Sequence, residues 1–316
     1  MTALPPVPAH QETFYYASQW TMWIFFRLKR ADFEAGVGVD LAALGLSPVP
    51  FKGEEDSVYV ALNPMFYTAL FNNGSAGINE TEFNAIVYPT AQRARLPHIT
   101  FHEWLLGWDQ QKVIGQLRLD VLCDNMAAVQ GGREKYGEHK FLGKIEFEIP
   151  TENDNPYGPR ATSVLFKAYQ WPLPNPVCPC ADGKGKPIFE FYASTDGLSS
   201  FPSNGSPTVV YAALPPEPAP GVQQRTVGSL RSMQAVFDAW TVAAGGGRFQ
   251  IRYFDCGLAP PLIIDGKEVP GSPAFPLQMR NRMERLLTLA DLVAFQAYRS
   301  PPCEIEPRPF YVYPGQ

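Results

Sequence analysis

The chain has 316 residues, 45% of them hydrophobic and 13% aromatic, enough to build a sizeable buried core. Its 26 lysines and arginines stand against 31 aspartates and glutamates, a formal net charge of -5, which argues against a protein that grips nucleic acid through phosphate contacts. The longest apolar stretches, such as residues 20–26, are too short to cross a bilayer, and the opening MTALPPVPAHQETF has no positive segment followed by an apolar one, so no membrane association and no secretory signal are expected.

Cys123, Cys178, Cys180, Cys256 and Cys303 are odd in number and scattered, which does not make a disulfide framework and points to a reducing cytoplasm. Cys178 and Cys180 lack a second cluster of Cys or His that would complete a zinc site. His98 and His102 follow Pro97 in a β-rich surrounding and read as strand surface, so no metal and no cofactor are expected.

Residues 1–13 read as a loose tail, because Pro5, Pro6 and Pro8 remove backbone donors before any periodic pattern begins. Residues 14–316 read as one domain. The run 14–29 is aromatic and β-branched and predicts a strand, and 31–44 predicts a short helix ended by Gly45 and Pro48. Further strands are predicted over 57–64, 81–87, 99–106, 113–123, 142–149, 161–170 and 188–192. The stretches 171–186 and 199–221 are rich in Pro, Gly and Ser and read as long surface loops inserted into the domain. Strand pattern returns at 233–243 and 249–256. A helix is then predicted from Pro276 or Leu277 to about Tyr298, with an apolar face running from Leu277 and Met279 to Phe295 and a stop at Pro301 and Pro302. The fold class is α+β and mainly β: short strands separated by Gly, Pro and Asn turns, in an antiparallel sheet or barrel.

Within DNMAAVQGGREKYGEHKF, residues 124–141, Lys140 follows an Arg133-Glu134 pair and a turn at Gly137. A lysine is a nucleophile only when unprotonated, and at an ordinary pKa near ~10.4 it is almost wholly charged at neutral pH. An apolar pocket or a second cation favours the neutral amine. A protonated imine formed on such a lysine is an electron sink. It accepts the electrons released when a β-keto acid loses carbon dioxide, or it stabilises an enamine for aldol or dehydration chemistry.

The run Gly132-Arg133-Glu134 with Lys140 six residues beyond Glu134 resembles the active-site segment of the acetoacetate decarboxylase family, roughly G-R-E-x-x-x-x-P-K-K, whose first lysine forms a Schiff base with a keto acid. Thr81-Glu82 followed by Ala85-Ile86-Val87-Tyr88-Pro89 is similar to the family segment that carries its functional glutamate. Phe249-Gln250-Ile251-Arg252-Tyr253-Phe254-Asp255 with Ala259-Pro260 resembles its late strand, so the similarity runs in order over roughly residues 14–300. It implies an antiparallel β-barrel or cone with peripheral helices, assembled into homo-oligomers and acting on a small keto acid or carbonyl compound. It also implies Lys140 as nucleophile and Glu82 as general acid or base. Arg133 and Glu134 are candidates to orient the site or to hold the loop as an ion pair, and Tyr136 and His139 either to transfer protons or to face solvent.

Three positions depart from the family pattern. Phe141 stands where the second lysine would be, His139 replaces the proline with Glu138 before it, and Gln19 lies near the position of an arginine that binds the substrate carboxylate. With that cationic neighbour missing, desolvation has to lower the pKa of Lys140. These departures point to an altered substrate. They also fit a non-catalytic protein that retains the barrel pocket and binds an apolar or carbonyl-bearing ligand. The charge state of Lys140 separates the two, because a binding relic has no reason to hold its amine neutral.

Overall fold

A computed structural model of the chain describes residues 15–71, 74–148, 163–171, 185–203, 208–213, 226–231, 237–243, 247–300 and 308–312. The 1–13 tail, most of the 171–186 stretch, and Cys178, Cys180 and Cys303 lie outside the described residues. The first half of the chain runs β1 (Tyr15–Lys29), α1 (Arg30–Gly36), β2 (Leu46–Pro48), β3 (Ser57–Phe71), β4 (Gly74–Pro89), α2 (Phe101–Leu105), β5 (Gly115–Cys123), α3 (Met126–Tyr136) and β6 (Lys140–Glu148). There follow β7 (Ser163–Gln170), β8 (Pro187–Ser194), β9 (Phe201–Ser203), β10 (Thr208–Ala213), β11 (Thr226–Arg231), β12 (Phe237–Thr241) and β13 (Phe249–Tyr253). The chain closes with a small hairpin, β14 (Ile263–Ile264) and β15 (Lys267–Glu268), then α4 (Phe275–Leu287), β16 (Asp291–Ser300) and β17 (Arg308–Val312).

Among the described residues, fifteen strands form one sheet in which β13, β8, β7, β6, β5, β4, β3, β1, β16, β12 and β9 lie side by side in that order. The pairings are antiparallel except two, β5 with β6 and β5 with β10, so the sheet is mixed where a purely antiparallel one is expected. It is strongly rolled. At ~4.8 Å per strand, β1 and β13 would stand about 34 Å apart in a flat sheet. Yet Phe26 and Phe249 meet with ring centroids 4.8 Å apart, and Trp20 of β1 lies 6.0 Å from Phe147 of β6. No ladder among the described residues joins the two ends, so the rolled sheet is open and the expected closed barrel is not seen.

Strand alternation gives each long strand two buried faces. Trp20, Met22, Ile24, Phe26 and Leu28 of β1 enter the main core with Val58, Val60, Leu62, Phe83, Ala85, Leu117 and Phe166, and α4 packs Phe275, Met279, Met283 and Leu286 against it. On the opposite face stand two smaller apolar clusters. One holds Trp23, Phe25, Tyr59, Ala61, Ile86 and Tyr88, and the other Met65, Tyr67, Ile78, Cys123, Val129 and Leu262.

Four expected elements differ. The helix expected over 31–44 stops at Gly36, and Leu46–Pro48 is a strand paired with β4. Residues 99–106 do not form a strand: Phe101–Leu105 is a helix, because Thr100 and Glu103 make a capping box in which Glu103 N donates to Thr100 Oγ1 at 3.1 Å and Thr100 N donates to Glu103 Oε2 at 2.7 Å. His102 therefore sits on that helix, its ring 4.8 Å from Phe201. The predicted 276–298 helix stops at Leu287, and 291–300 is a strand whose alternation places Phe295 in the main core and Ala294 in the opposite cluster, between β1 and β12. The 199–221 stretch contributes β9 and β10, which complete ladders with β12 and β5.

Candidate active site

The crossover β5–α3–β6 positions Lys140. Asn125 caps α3 by accepting from Ala128 N at 3.0 Å, and Gly137, at φ +62°, ends the helix in the left-handed conformation that favours glycine. The chain then enters β6 parallel to β5, with Val121 opposite Lys140 and Cys123 opposite Leu142. Gly132 has a specific task in this arrangement: a Cβ there would lie 2.6 Å from Glu138 Oε2 and 2.7 Å from Lys140 Cδ, so any larger residue would force these two side chains to shift.

Lys140 is 4% exposed, and a lysine this buried needs a partner. Its Nζ donates to Glu80 Oε2 at 2.6 Å, and Glu138 Oε2 stands 3.7 Å away. Tyr67 OH also donates to Glu80 Oε2, at 2.8 Å. The guanidinium of Arg118 on β5 pairs with both Glu82 and Glu138. Asn84 Nδ2 donates to Glu82 Oε2 at 2.9 Å and to Gln116 Oε1 at 3.0 Å, and Trp23 Nε1 reaches the same Gln116 oxygen at 3.2 Å. The whole forms a buried polar band across β3, β4, β5 and β6, on the face opposite the main core and between the two smaller apolar clusters.

Register explains who meets whom. Glu80 pairs with Cys123 and Glu82 with Val121, so both carboxylates share the face of Lys140, and the parallel offset of β6 brings Nζ to Glu80. A bulge between Phe83 and Asn84 leaves Leu119 as an extra residue, which is why Arg118, opposite Asn84, shares a face with Val121. Asp120 then points to the other side, where it meets His139 Nδ1 at 2.9 Å and pairs with Arg282.

Burial, the largest single influence, pushes the Lys140 amine toward neutrality, but the Glu80 carboxylate, Cys123 and Glu138 together outweigh burial and the repulsion from Arg118, and the amine is held above the ordinary lysine value. Burial likewise pushes the Glu80 carboxyl up, yet Lys140, Arg118 and the Tyr67 hydroxyl together hold it down at about 2. Burial also raises the Cys123 thiol. The resting site is an ammonium–carboxylate pair, unlike the desolvated neutral amine expected from the sequence. At 2.6 Å the two groups can exchange one proton without rearranging.

Of the residues singled out from sequence, Lys140 and Glu82 belong to this band, with Glu82 bound to Arg118. Arg133 Nη1 donates to the Lys140 carbonyl at 2.9 Å, and the guanidinium sits 5.3 Å from the centroid of the Phe275 ring, so it clamps the strand backbone. His139 and Phe141 alternate away from Lys140. The His139 ring packs edge-on against Phe275 at 4.5 Å, and Phe141 is in the main core. The backbones of Glu134 and Tyr136 lie in the last turns of α3, and Gln19 stands opposite Tyr67 on β1; their side chains lie outside the described residues. Sequence reasoning marked Glu138 as an ionisable group beside Lys140 but missed Glu80, Arg118 and Tyr67. The usable signal was a charged residue inside an apolar strand, Leu117-Arg118-Leu119, since such a charge is seldom buried without a partner. Among the described residues no group of three His, Cys, Asp or Glu side chains could hold a metal, and no helix is long and apolar enough to cross a membrane.

No protein-family model and no curated protein sequence matches the chain. Solved structures do. The enduracididine biosynthesis enzyme MppR with HEPES buffer bound shares 12% identity at a TM-score of 0.54, covering 100% of this chain and 95% of that one. An acetoacetate decarboxylase-like enzyme from Sphingomonas wittichii RW1 shares 12% identity at 0.52, with 96% and 94% covered. An acetoacetate decarboxylase shares 11% at 0.51, with 97% and 91% covered. Over its whole length the chain therefore has the acetoacetate decarboxylase-like fold.

Proposed function

We propose that the protein is a Schiff-base-forming lyase that acts on a small keto acid or related carbonyl compound through Lys140, by decarboxylation or by aldol and dehydration chemistry. The observation that carries this reading is a lysine amine buried on one face of the sheet, 2.6 Å from a single hydrogen-bonded carboxylate oxygen of Glu80. The ammonium gives its proton to Glu80, and the free amine adds to the carbonyl carbon. The resulting carbinolamine loses its oxygen as water, with that proton returned, and leaves a protonated imine. If the substrate is a β-keto acid, the bond to the carboxylate breaks, carbon dioxide leaves and the electron pair moves onto the imine as an enamine. If instead an α-proton is lost, the enamine attacks an aldehyde, and loss of water follows. After decarboxylation the enamine carbon takes a proton from solvent and becomes an imine again, whereas attack on the aldehyde re-forms the imine directly; hydrolysis then restores Lys140 in either case. Support comes from the fold: MppR, at 11% identity and a TM-score of 0.51, has been observed with the condensation product of pyruvate and imidazole 4-carboxaldehyde.

A second reading, a non-catalytic binding protein, is favoured by the charge state of the amine, since an ammonium held by Glu80 attacks nothing until it yields its proton. Turnover distinguishes the two. The protein is incubated with β-keto acids, and separately with pyruvate and aromatic aldehydes, while carbon dioxide and the absorbance of an unsaturated product are followed. Product formation that disappears in Lys140→Ala supports the enzyme, and ligand binding without product supports the alternative. The same reading makes the chain a single-domain cytoplasmic homo-oligomer, which light scattering of the purified protein tests for assembly.

A further inference from the structure

Resting on the reading of Lys140 as the working amine, we propose that Arg118 is the positioning residue of this site: by pairing with Glu82 and Glu138 it offsets the charge of two of the three carboxylates of the buried band and leaves Glu80, the one bonded to Nζ, as the group that takes the amine's proton. The chemistry needs such a device. Nζ meets Glu80 from β4 at 2.6 Å and Glu138 from the turn before β6 at 3.7 Å, with Arg118 and Cys123 from β5 acting on it electrostatically; Tyr67 from β3 is bonded to Glu80, and Glu82 from β4 to Arg118. Asp124 lies farther off against Asn79, and Arg133 is engaged at the Lys140 carbonyl. A lone ammonium among three carboxylates would be locked in its charged form.

Position 141 cannot supply the balancing cation, because in a strand it projects to the opposite face, where Phe141 is buried in the main core. Arg118 is on the correct face only through the bulge at Leu119, which breaks the alternation of β5 between Arg118 and Val121. Its planar fork engages Glu82 through Nη2 and Glu138 through Nη1, and Glu138 uses its other oxygen to face Lys140. Arg118 thus acts on the amine directly, as a nearby positive charge, and indirectly, by occupying Glu138.

The test reads the amine itself, so it stands apart from whether an imine forms. In protein labelled with [13Cε]lysine, with the Lys140 signal assigned from Lys140→Arg, the titration is followed in a Glu80→Gln background, which removes the bonded carboxylate and lowers the midpoint into an accessible range. Adding Arg118→Met is expected to raise the midpoint by about one pH unit or more. Adding Glu138→Gln to that variant is expected to bring it back down. Should Arg118→Met not fold, Arg118→Lys, which keeps the charge but loses the two-carboxylate fork, raises the midpoint by ~0.5 unit. A midpoint that stays put or falls in the folded variant overturns the proposal. Failure of the Schiff-base reading shows separately, as wild-type protein that gives no borohydride-trapped adduct on Lys140.

Discussion

The two faces of the β1–β3–β4–β5 sheet are equally shut off from water and are built on different terms. On one face Phe83, Ala85, Leu62 and Ile24 join the main core, where stability follows from apolar area removed from water. On the other, Glu80, Glu82, Asn84, Arg118 and Lys140 are buried to nearly the same degree, at the cost of stripping charges of their hydration. β4 supplies both faces from a single alternation, Phe83 to one and Glu82 to the other. A sequence gains no stability from burying four charges and an amide where apolar side chains would pack, so the polar band is the part of the fold to be explained by chemistry.

The sharpest break in that comparison is on the core face. Phe83→Ala is expected to lower stability by about 3–5 kcal/mol in urea unfolding while leaving the Lys140 titration where it was. On the polar face the pattern should invert. Lys140→Met strands the Glu80 carboxylate and is expected to cost about 3 kcal/mol or more, whereas Lys140→Met combined with Glu80→Gln should recover most of that loss. A double variant as unstable as the single one would mean the band contributes to stability as the core does. Gly132→Ala is smaller, about 1–3 kcal/mol, because its Cβ meets Glu138 and the Lys140 stem, and it should slow adduct formation on Lys140 in the remaining folded protein.

The mildest effect is in pH. Glu80 is held down from an ordinary 4.5 to about 2, so its contribution to stability is present above pH 4.5 and is lost as pH falls through about 2. In an acid titration of stability, Glu80→Gln should flatten that part of the curve, whereas Phe83→Ala should lower the whole curve without changing its slope there.

Much of the sheet was legible because β1, β3, β4 and β5 carry aromatic and β-branched residues with period-two alternation. The 99–106 helix was misread from Ile99-Thr100-Phe101, although the Thr100 and Glu103 spacing carried the capping signal. The end of α4 was hidden because the apolar run continues from helix into β16 with no Gly or Pro between them. For the site, Gly132, Gly137 and Lys140 form a contiguous signature. Glu80 and Glu82 share a face, so alternation alone cannot tell which touches Lys140; that depends on the parallel register of β5 and β6. Arg118 depends on a bulge, which leaves no mark in the sequence.

The central claim is that the Lys140 amine, paired with Glu80, forms an imine. The most direct measurement is borohydride reduction with a panel of α- and β-keto acids and aldehydes, read by intact and peptide mass spectrometry, with Lys140→Ala beside the wild type. The account predicts an adduct on Lys140 that is missing from the variant and whose mass names the carbonyl compound. Folded wild-type protein that binds a carbonyl ligand yet yields no adduct on Lys140 would contradict it.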